Sequence, residues 1–227
     1  MSDPARAIAG LAEVRERITR ACARVGREPS SVRLIAVSKR HTPEAMRAVY
    51  AEGQHEFGEN YVQELMQKAE ALRDLPDLRM HVIGKLQRNK VKDVVRAASL
   101  HAVDSVDSLR LAESLADRAA EGGRVLSVLV QVNVAGEAQK AGVSEAELPG
   151  LLAAISGWPS LILEGLMVIP PDVEPDQRRP HFRRLRELGQ LHRLPELSMG
   201  MSDDLEIAIE EGATQVRIGT AIFGERS

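Results

Sequence analysis

The strongest constraint on the fold of this chain is an alternation between short apolar runs and amphipathic stretches. Each apolar run is followed by residues with helical spacing. Runs of this kind are typical of strands buried on both faces, and their alternation with helices predicts a parallel sheet. The predicted strands are 32–38, 55–60, 80–84, 100–103, 125–134, 161–169, 197–199 and 215–218. The predicted helices between them are 43–52, 61–72, 89–98, 106–120, 145–156, 180–192 and 203–211.

Eight such units predict an α/β fold in which residues 1–227 form one domain, a single (β/α)8 TIM barrel. Closure into a barrel leaves no strand edge exposed. An open doubly wound sheet is the alternative, although no Gly-x-Gly-x-x-Gly motif follows the first strand to indicate a dinucleotide site. Apolar residues at helical spacing from Ile8 to Val25 predict an extra N-terminal helix, with Cys22 on its apolar face and in the core.

Composition limits the classes of partner. The net charge of −3 and the 3% aromatic content argue against a nucleic-acid-binding protein. A single cysteine cannot form an internal disulfide, which is typical of a reducing compartment. No apolar run approaches the ~18 residues of a membrane span, and the N-terminus has no signal-peptide pattern. We therefore expect a cytoplasmic protein without a membrane partner.

The first predicted strand ends at Lys39. In parallel α/β folds the carboxyl ends of the strands face the ligand crevice. Partial burial and the neighbouring Arg40 and His41 would favour the uncharged amine, the form that condenses with aldehydes to a Schiff base. A solvated lysine just past a strand is the alternative interpretation.

The last two units carry small polar residues directly after their strands. Residues 198–202 read Ser-Met-Gly-Met-Ser, and residues 217–220 read Arg-Ile-Gly-Thr. Barrels often bind phosphate with the loops after strands 7 and 8. A Gly/Ser turn beside a surface ion pair is the alternative, and Asp203 and Asp204 are themselves able to satisfy the nearby helix N-terminus. A crevice lysine opposite a phosphate site would suit a phosphorylated aldehyde.

Other chemistry has less support in the sequence. The predicted strand ends carry no pair of carboxylates suited to hydrolysis. The six histidines are scattered along the chain, so we expect no metal site. His81 lies inside a predicted strand, where a hydrogen-bonded core histidine is the default expectation.

Ordered sequence blocks along the chain match one known family. They are Ala-Val-Ser-Lys at 36–39, Phe-Gly-Glu-Asn-Tyr-Val-Gln-Glu at 57–64, His-Val-Ile-Gly at 81–84, Leu-Gln-Arg-Asn-Lys at 86–90, Val-Asp-Ser at 103–105, Gln-Val-Asn at 131–133, and the stretches 165–170, 197–202 and 216–224. Through these blocks the chain resembles the YggS/PROSC family, the pyridoxal phosphate homeostasis proteins, along almost its whole length. One departure is Met80 and Val82, where the family usually reads Trp-His-Phe-Ile-Gly.

The resemblance implies a barrel like the N-terminal domain of alanine racemase, with pyridoxal 5'-phosphate as the cofactor. Lys39 matches the lysine that forms the Schiff base, and Arg217 matches the arginine that faces the pyridine nitrogen. Asn60 and His81 fall in blocks near the cofactor ring. The phosphate-binding blocks are matched by Ser198, Gly200, Gly219 and Thr220.

Two functions are compatible with this resemblance: a carrier that buffers and delivers pyridoxal 5'-phosphate without turnover, and an amino-acid racemase. A two-base racemase needs an acid/base on each face of the substrate, and in the similar racemases one is a tyrosine from an additional β domain of the partner subunit. We expect no such domain in a chain that ends at Ser227, and we expect Tyr50 and Tyr61 to pack in the core.

A cationic Arg217 at the pyridine nitrogen would also disfavour ring protonation and weaken the ring as an electron sink. We therefore favour a monomeric, non-catalytic carrier that delivers the cofactor to apo forms of pyridoxal-phosphate-dependent enzymes. A sugar-phosphate barrel enzyme is less favoured, because acid/base carboxylates are missing from the strand ends.

Overall fold

The computed structural model describes residues 3–137 and 139–225. Eight parallel strands form a closed barrel in which each strand pairs with the next and the last pairs with the first. The strands are β1 Arg33–Val37, β2 Glu56–Glu59, β3 Arg79–Val82, β4 Leu100–Val106, β5 Leu126–Gln131, β6 Leu161–Met167, β7 Glu196–Ser198 and β8 Gln215–Ile218. The helices are α1 Asp3–Arg24, α2 Pro43–Ala51, α3 Val62–Ala71, α4 Val91–Val95, α5 Leu109–Glu121, α6 Leu148–Ser156, α7 Pro175–His192, α8 Leu205–Glu210 and α9 Thr220–Phe223.

Closure of the sheet confirms the predicted (β/α)8 barrel and rules out the open doubly wound alternative. The closing contact is in register from Arg33 opposite Gln215 to Ala36 opposite Ile218. Because the strands are parallel, their carboxyl ends all emerge on one face, and the residues that follow them are brought together there.

Several predicted boundaries differ from the structure, and two of them around strand β4 share one cause. Strand β4 continues to Val106 rather than ending at 103, because Asp104 and Ser105 are buried and hydrogen-bonded inside the sheet. The helix after it therefore begins later, at Leu109, where the side chain of Ser108 caps it. Strand β5 and helix α4 are both shorter than predicted.

Helix α7 begins at Pro175 rather than at 180. Proline is well tolerated in the first turn of a helix, where its missing N–H would have no helical partner. Pro175 occupies this position, and Pro180 lies inside the helix. The five residues gained at the start of the helix include Arg178, which is buried.

The extra N-terminal helix α1 packs against the last helix, α9. A methyl group built on Gly10 would overlap the carbonyl oxygen of Ile222, so the two helices approach more closely than any side chain at position 10 allows. Cys22 is fully buried on the apolar face of α1, which confirms its predicted place in the core. Helix α1 thus supports the short helix that begins at Thr220.

The apolar core lies mainly between the barrel and its surrounding helices, while the inside of the barrel carries buried polar groups. The main ones are His81, Asp104, Ser198, Gln215 and Arg217. None of the helices within the described residues combines the length and the apolar character that crossing a bilayer requires.

Candidate functional site

A cavity of about 670 Å³ opens among the residues that follow the strands. This volume falls in the range of ~300–1,000 Å³ that is usual for small-molecule sites. Five of the predicted site residues line it: Lys39, Asn60, Arg217, Gly219 and Thr220. The remaining described residues around it include His41, Ile83, Ile169, Asp172, Arg178, Met201, Ser202 and Asp203. Lys39 is half-buried and lines this cavity, and its role as the Schiff-base lysine stays a prediction.

The backbone around Lys39 forms a tight turn. Arg40 has a φ of +62°, a left-handed conformation that an L-residue with a side chain adopts only at a cost of ~1–2 kcal/mol. Its N–H donates to Oε2 of Glu64 at 2.6 Å, and the N–H of His41 donates to the carbonyl of Ser38 at 2.9 Å. These bonds hold the chain in the conformation that turns Lys39 toward the cavity.

A buried ion pair lies directly behind this turn. Nζ of Lys68 donates to Oε1 of Glu59 and to the carbonyl oxygen of Ser38, both at 2.6 Å, and the hydroxyl of Ser38 donates to the same Glu59 oxygen at 2.7 Å. Burial raises the pKa of Glu59 above its ordinary value, although the Lys68 ammonium opposes this. The residue before Lys39 is therefore anchored through both its backbone and its side chain.

Glu64 joins this pair to the other side of the turn. It accepts hydrogen bonds from Lys68 at 3.1 Å and from the backbone of Arg40. Burial would raise the pKa of Glu64, but these two hydrogen bonds outweigh it and hold the pKa below its usual value. Helix α3 thus contacts the residues on both sides of Lys39.

Arg217 also lines the cavity, from strand β8, which pairs with β1. Its side chain is almost fully buried, and it donates to the hydroxyl oxygen of Ser198 at 2.7 Å and to the carbonyl of Val168 at 2.8 Å. Burial lowers its pKa to about 10, against the attraction of Asp104 and Asp204. Arg217 therefore remains a cation at neutral pH.

Ser198 and Gly200 lie beneath the cavity and are not among the residues that line it. Oγ of Ser198 accepts a second hydrogen bond from Nε2 of Gln215 at 2.9 Å. Gly200 has a φ of +96°, and its carbonyl accepts the backbone N–H of Arg217 at 3.0 Å. Both residues hold Arg217 in place, and their contact with a phosphate stays a prediction.

His81 also lies away from the cavity, deep inside the barrel. Its Nε2 contacts Oε2 of Glu56 at 2.6 Å, and its Nδ1 contacts Asp104 at 3.2 Å. Burial would lower the pKa of His81, but Asp104 and Glu56 outweigh it and raise the pKa to about 9. The default expectation of a hydrogen-bonded core histidine matches this arrangement, whereas a contact with a cofactor ring stays a prediction.

A chain of buried hydrogen bonds connects His81 to the cavity. Asp104 accepts from His81 and also from Nε2 of Gln215, which in turn donates to Ser198. Ser198 then accepts from Arg217. The orientation of Arg217 is thus linked through four side chains to the polar interior of the barrel.

The backbone at Gly219 and Thr220 forms the edge of the cavity where helix α9 begins. A methyl group built on Gly219 would lie 3.2 Å from the carbonyl oxygen and 3.3 Å from Cβ of Val37, so a side chain would crowd strand β1. The hydroxyl oxygen of Ser202 accepts the N–H of Ala221 at 3.3 Å and brings the two glycine-containing loops together.

Asp204 does not cap the helix that follows it. Its side chain instead accepts a hydrogen bond from the N–H of Met201 at 2.6 Å and forms an ion pair with Arg178 at 2.7 Å. The side chain of Asp204 therefore does not satisfy the N-terminus of α8, contrary to what the alternative interpretation expected. It is engaged in shaping the loop of residues 198–202.

Arg178 and His41 are cavity residues that the sequence analysis missed. Arg178 is buried on α7 and pairs with Asp204, but the predicted helix began at 180 and left it out. The signal that identifies the true start is Pro175 as a first-turn residue. The ring of His41 stacks on Phe223 with centroids 5.0 Å apart, a contact between distant parts of the chain that has no local sequence signal.

The two tyrosines differ in their environments. Tyr50 packs against the core, as predicted, and its hydroxyl accepts the N–H of Asp77 at 3.3 Å. The core prediction for Tyr61 is wrong: it is 49% exposed, because it precedes the first turn of α3 rather than lying on the buried face of the helix. Among the described residues, neither tyrosine lines the cavity.

Known proteins with similar sequences identify the family of this chain. A family model described as alanine racemase, N-terminal domain, matches residues 10–227. A pyridoxal phosphate homeostasis protein from Aquifex aeolicus is 48% identical over 223 residues, covering 95% of this chain and 96% of the relative. The chain belongs to the pyridoxal phosphate homeostasis protein family. The Pseudomonas aeruginosa member is 47% identical over 219 residues, with 95% and 94% of the two chains covered.

Solved structures agree with this family assignment. PipY of Synechococcus elongatus, determined with PLP bound, is 42% identical with a TM-score of 0.80, covering 91% of this chain and 100% of PipY. An alanine racemase from Corynebacterium glutamicum is 17% identical with a TM-score of 0.70, covering 95% of this chain and 60% of the racemase, and this likeness concerns the fold alone. The resemblance to the YggS/PROSC family is confirmed.

Proposed function

We propose that this protein binds pyridoxal 5'-phosphate reversibly and thereby buffers and delivers the cofactor, without catalytic turnover. The observation that carries the proposal is that Lys39 and the Arg217–Thr220 segment line one cavity. The bound PLP in PipY, a relative that is 42% identical, supports the same ligand here. Residues 1–227 would then act as a single cofactor-binding domain.

The chemistry of these residues fits the cofactor. When bound, pyridoxal 5'-phosphate would supply two groups: an aldehyde, which forms a reversible bond with an uncharged lysine amine, and an anionic phosphate. Lys39 would hold the aldehyde end, with one water released on binding and one taken up on release. The turn at Arg40 and the pair of Glu59 and Lys68 hold Lys39 for this step.

The phosphate would be held at Gly219 and Thr220, with Ser202 and the Arg178 guanidinium in the same cavity. The absence of a side chain at Gly219 leaves its backbone open to an anion, and a Cβ there would crowd Val37. These groups bind anions without any covalent step. Phosphate binding and the lysine bond therefore contribute separately to the affinity.

Binding without turnover is supported by the surroundings of Arg217. A permanent cation that faces a pyridine nitrogen disfavours ring protonation, and an unprotonated ring stabilises a substrate carbanion poorly. The racemase alternative also needs an acid/base on each face of the substrate. Neither Tyr50 nor Tyr61 is in the described lining of the cavity to serve as one.

We further propose that the carrier acts as a monomer in the cytoplasm and that apo forms of pyridoxal-phosphate-dependent enzymes receive the cofactor. The single reduced cysteine, Cys22, supports that compartment. Transfer needs only a reversible bond at Lys39 and an open cavity mouth.

The test is to incubate the cofactor-loaded protein with an apo-enzyme and to follow the recovery of enzyme activity. Alanine in deuterated buffer is incubated with the loaded protein in parallel. We expect recovered activity and no deuterium at the alanine α-carbon above the level with free cofactor. Deuterium exchange at the alanine α-carbon at enzyme-like rates would contradict the carrier proposal and support the racemase alternative.

A further inference from the structure

A second group of titratable side chains lies toward the amino ends of three neighbouring strands, away from the cofactor cavity. It consists of Glu56 on β2, His81 on β3 and His101 on β4. One ligand atom from each of the three lies within 4.8 Å of the others. Three adjacent strands thus bring a carboxylate and two imidazoles close together.

His81 has the environment of a metal-binding histidine. Histidine ligands usually donate their second ring N–H to a carboxylate, which fixes the ring and leaves the other nitrogen directed at the metal. Nδ1 of His81 contacts the buried carboxylate of Asp104 at 3.2 Å, and Nε2 points at Glu56. The ring is fixed in this orientation inside the sheet.

Glu56 and His101 complete the group from its open side. Glu56 uses Oε1 to accept from Arg79 at 2.9 Å, which leaves Oε2 directed at His81. The rings of His81 and His101 are tilted by 59° with centroids 5.4 Å apart, so they are not stacked. Glu56 and His101 are each half-buried, so the group is partly open to solvent on their side.

The charged groups here are two carboxylates, Glu56 and Asp104, on either side of one imidazole, and the Arg79 guanidinium, which pairs with Glu56. A divalent ion that replaces the proton between His81 and Glu56 would take over the attraction that this proton has for both carboxylates. The displaced proton leaves to solvent, so the exchange balances in atoms and charge.

We propose that Glu56, His81 and His101 bind one divalent transition-metal ion of the zinc type. Two imidazoles and one carboxylate suit Zn²⁺ or Co²⁺, whereas Mg²⁺ and Ca²⁺ prefer oxygen ligands alone. This replaces the expectation of no metal site. That expectation rested on histidines scattered in the sequence, and the strand register brings two of them together with Glu56.

The experiment is a Co²⁺ titration of chelator-treated full-length protein, followed by visible absorption and calorimetry. His101→Asn and Glu56→Gln remove one ligand each while leaving the buried His81–Asp104 contact. His192→Asn, at the end of α7, is the matched control. Zn²⁺ is then added as a competitor.

We expect saturation at one Co²⁺ per chain and displacement by Zn²⁺. Each ligand variant should bind at least about tenfold more weakly, and His192→Asn should bind like the wild type. The proposal is overturned if the wild type shows no saturable binding. It is equally overturned if both ligand variants bind as tightly as the wild type. None of these readouts depends on Lys39 or on pyridoxal 5'-phosphate.

Discussion

The ammonium group of Lys68 donates a hydrogen bond of 2.6 Å to the carbonyl oxygen of Ser38, the residue immediately before Lys39. Lys68 is buried on α3, and it also pairs with Glu59 at the end of β2. The position of Lys39 is therefore determined by a second lysine that does not line the cavity.

Lys68→Met should weaken covalent binding of pyridoxal 5'-phosphate roughly tenfold, or ~1.4 kcal/mol, because the turn that orients Lys39 loses its anchor. Lys68→Met alone would leave the buried Glu59 carboxylate without its ion-pair partner, at a cost of ~3–5 kcal/mol of stability. The double variant Glu59→Gln/Lys68→Met removes that unpaired charge as well and serves as the comparison that stays folded. Absorbance titration measures the affinity.

The control for this prediction is a double-mutant cycle. In a Lys39→Ala background, Lys68→Met should leave the remaining noncovalent affinity unchanged, since its effect acts through Lys39. Arg47→Met, which breaks an exposed ion pair with Asp74, should change neither quantity. An equal loss of affinity with and without Lys39 would show that Lys68 acts on general stability instead.

Ser198→Ala should destabilise the protein and weaken cofactor binding. It removes the acceptor shared by Arg217 and Gln215 and leaves buried N–H donors without a partner, at a cost of ~1–3 kcal/mol. Urea unfolding measures the stability, and a cofactor titration measures the affinity. Ser156→Ala, which removes an exposed helix-surface hydroxyl bonded to Leu152, should be close to neutral in both. Wild-type values for Ser198→Ala would contradict the assigned role of Ser198.

Gly200→Ala should be strongly unfavourable because a side chain at φ +96° is strained and its Cβ would lie 2.6 Å from that of Ala208. We expect a loss of ~1–3 kcal/mol in the free energy of unfolding. Gly150→Ala is the matched substitution: this exposed glycine lies in α6 with nothing within 4 Å of a new methyl group. It should be neutral or stabilising by up to ~1 kcal/mol. Equal effects of the two changes would contradict the close packing at Gly200.

His81 should make stability depend on pH in the alkaline range. Its pKa is raised from 6.5 to about 9 in the folded state, so its contribution is complete below pH 6.5 and is lost as the pH rises through 9. At ~1.4 kcal/mol per pKa unit, the loss is at most ~3–4 kcal/mol. Urea unfolding at several pH values in the presence of a chelator measures it.

Glu56→Gln should flatten this dependence, because it removes one of the two carboxylates that raise the pKa of His81. Glu113→Gln, on the exposed face of α5, should keep the wild-type slope. Identical slopes in all three proteins would mean that another group is responsible for the pH dependence.

Local pattern was sufficient to predict the barrel and five of the residues that line the cavity. Lys39, Asn60, Arg217, Gly219 and Thr220 each follow or end a strand, and parallel strands bring such positions to one face whatever their exact register.

Contacts across the barrel interior were not predictable in this way. Asp104 looked like a residue past the end of a strand, but it is buried within β4 between His81 and Gln215. Arg178 reaches the cavity from a helix whose start was misplaced, and Tyr61 falls one residue outside the helix that was expected to bury it. Each of these outcomes depends on strand register or on a helix boundary, which hydrophobic periodicity defines only loosely.

The most direct test of the account is borohydride reduction of the protein loaded with pyridoxal 5'-phosphate, followed by peptide mapping of the modified lysine. The account predicts one reduced adduct per chain, located at Lys39, and loss of the visible Schiff-base absorbance on reduction. An adduct at another lysine, or labelling spread over several lysines while Lys39 remains unmodified, would contradict it.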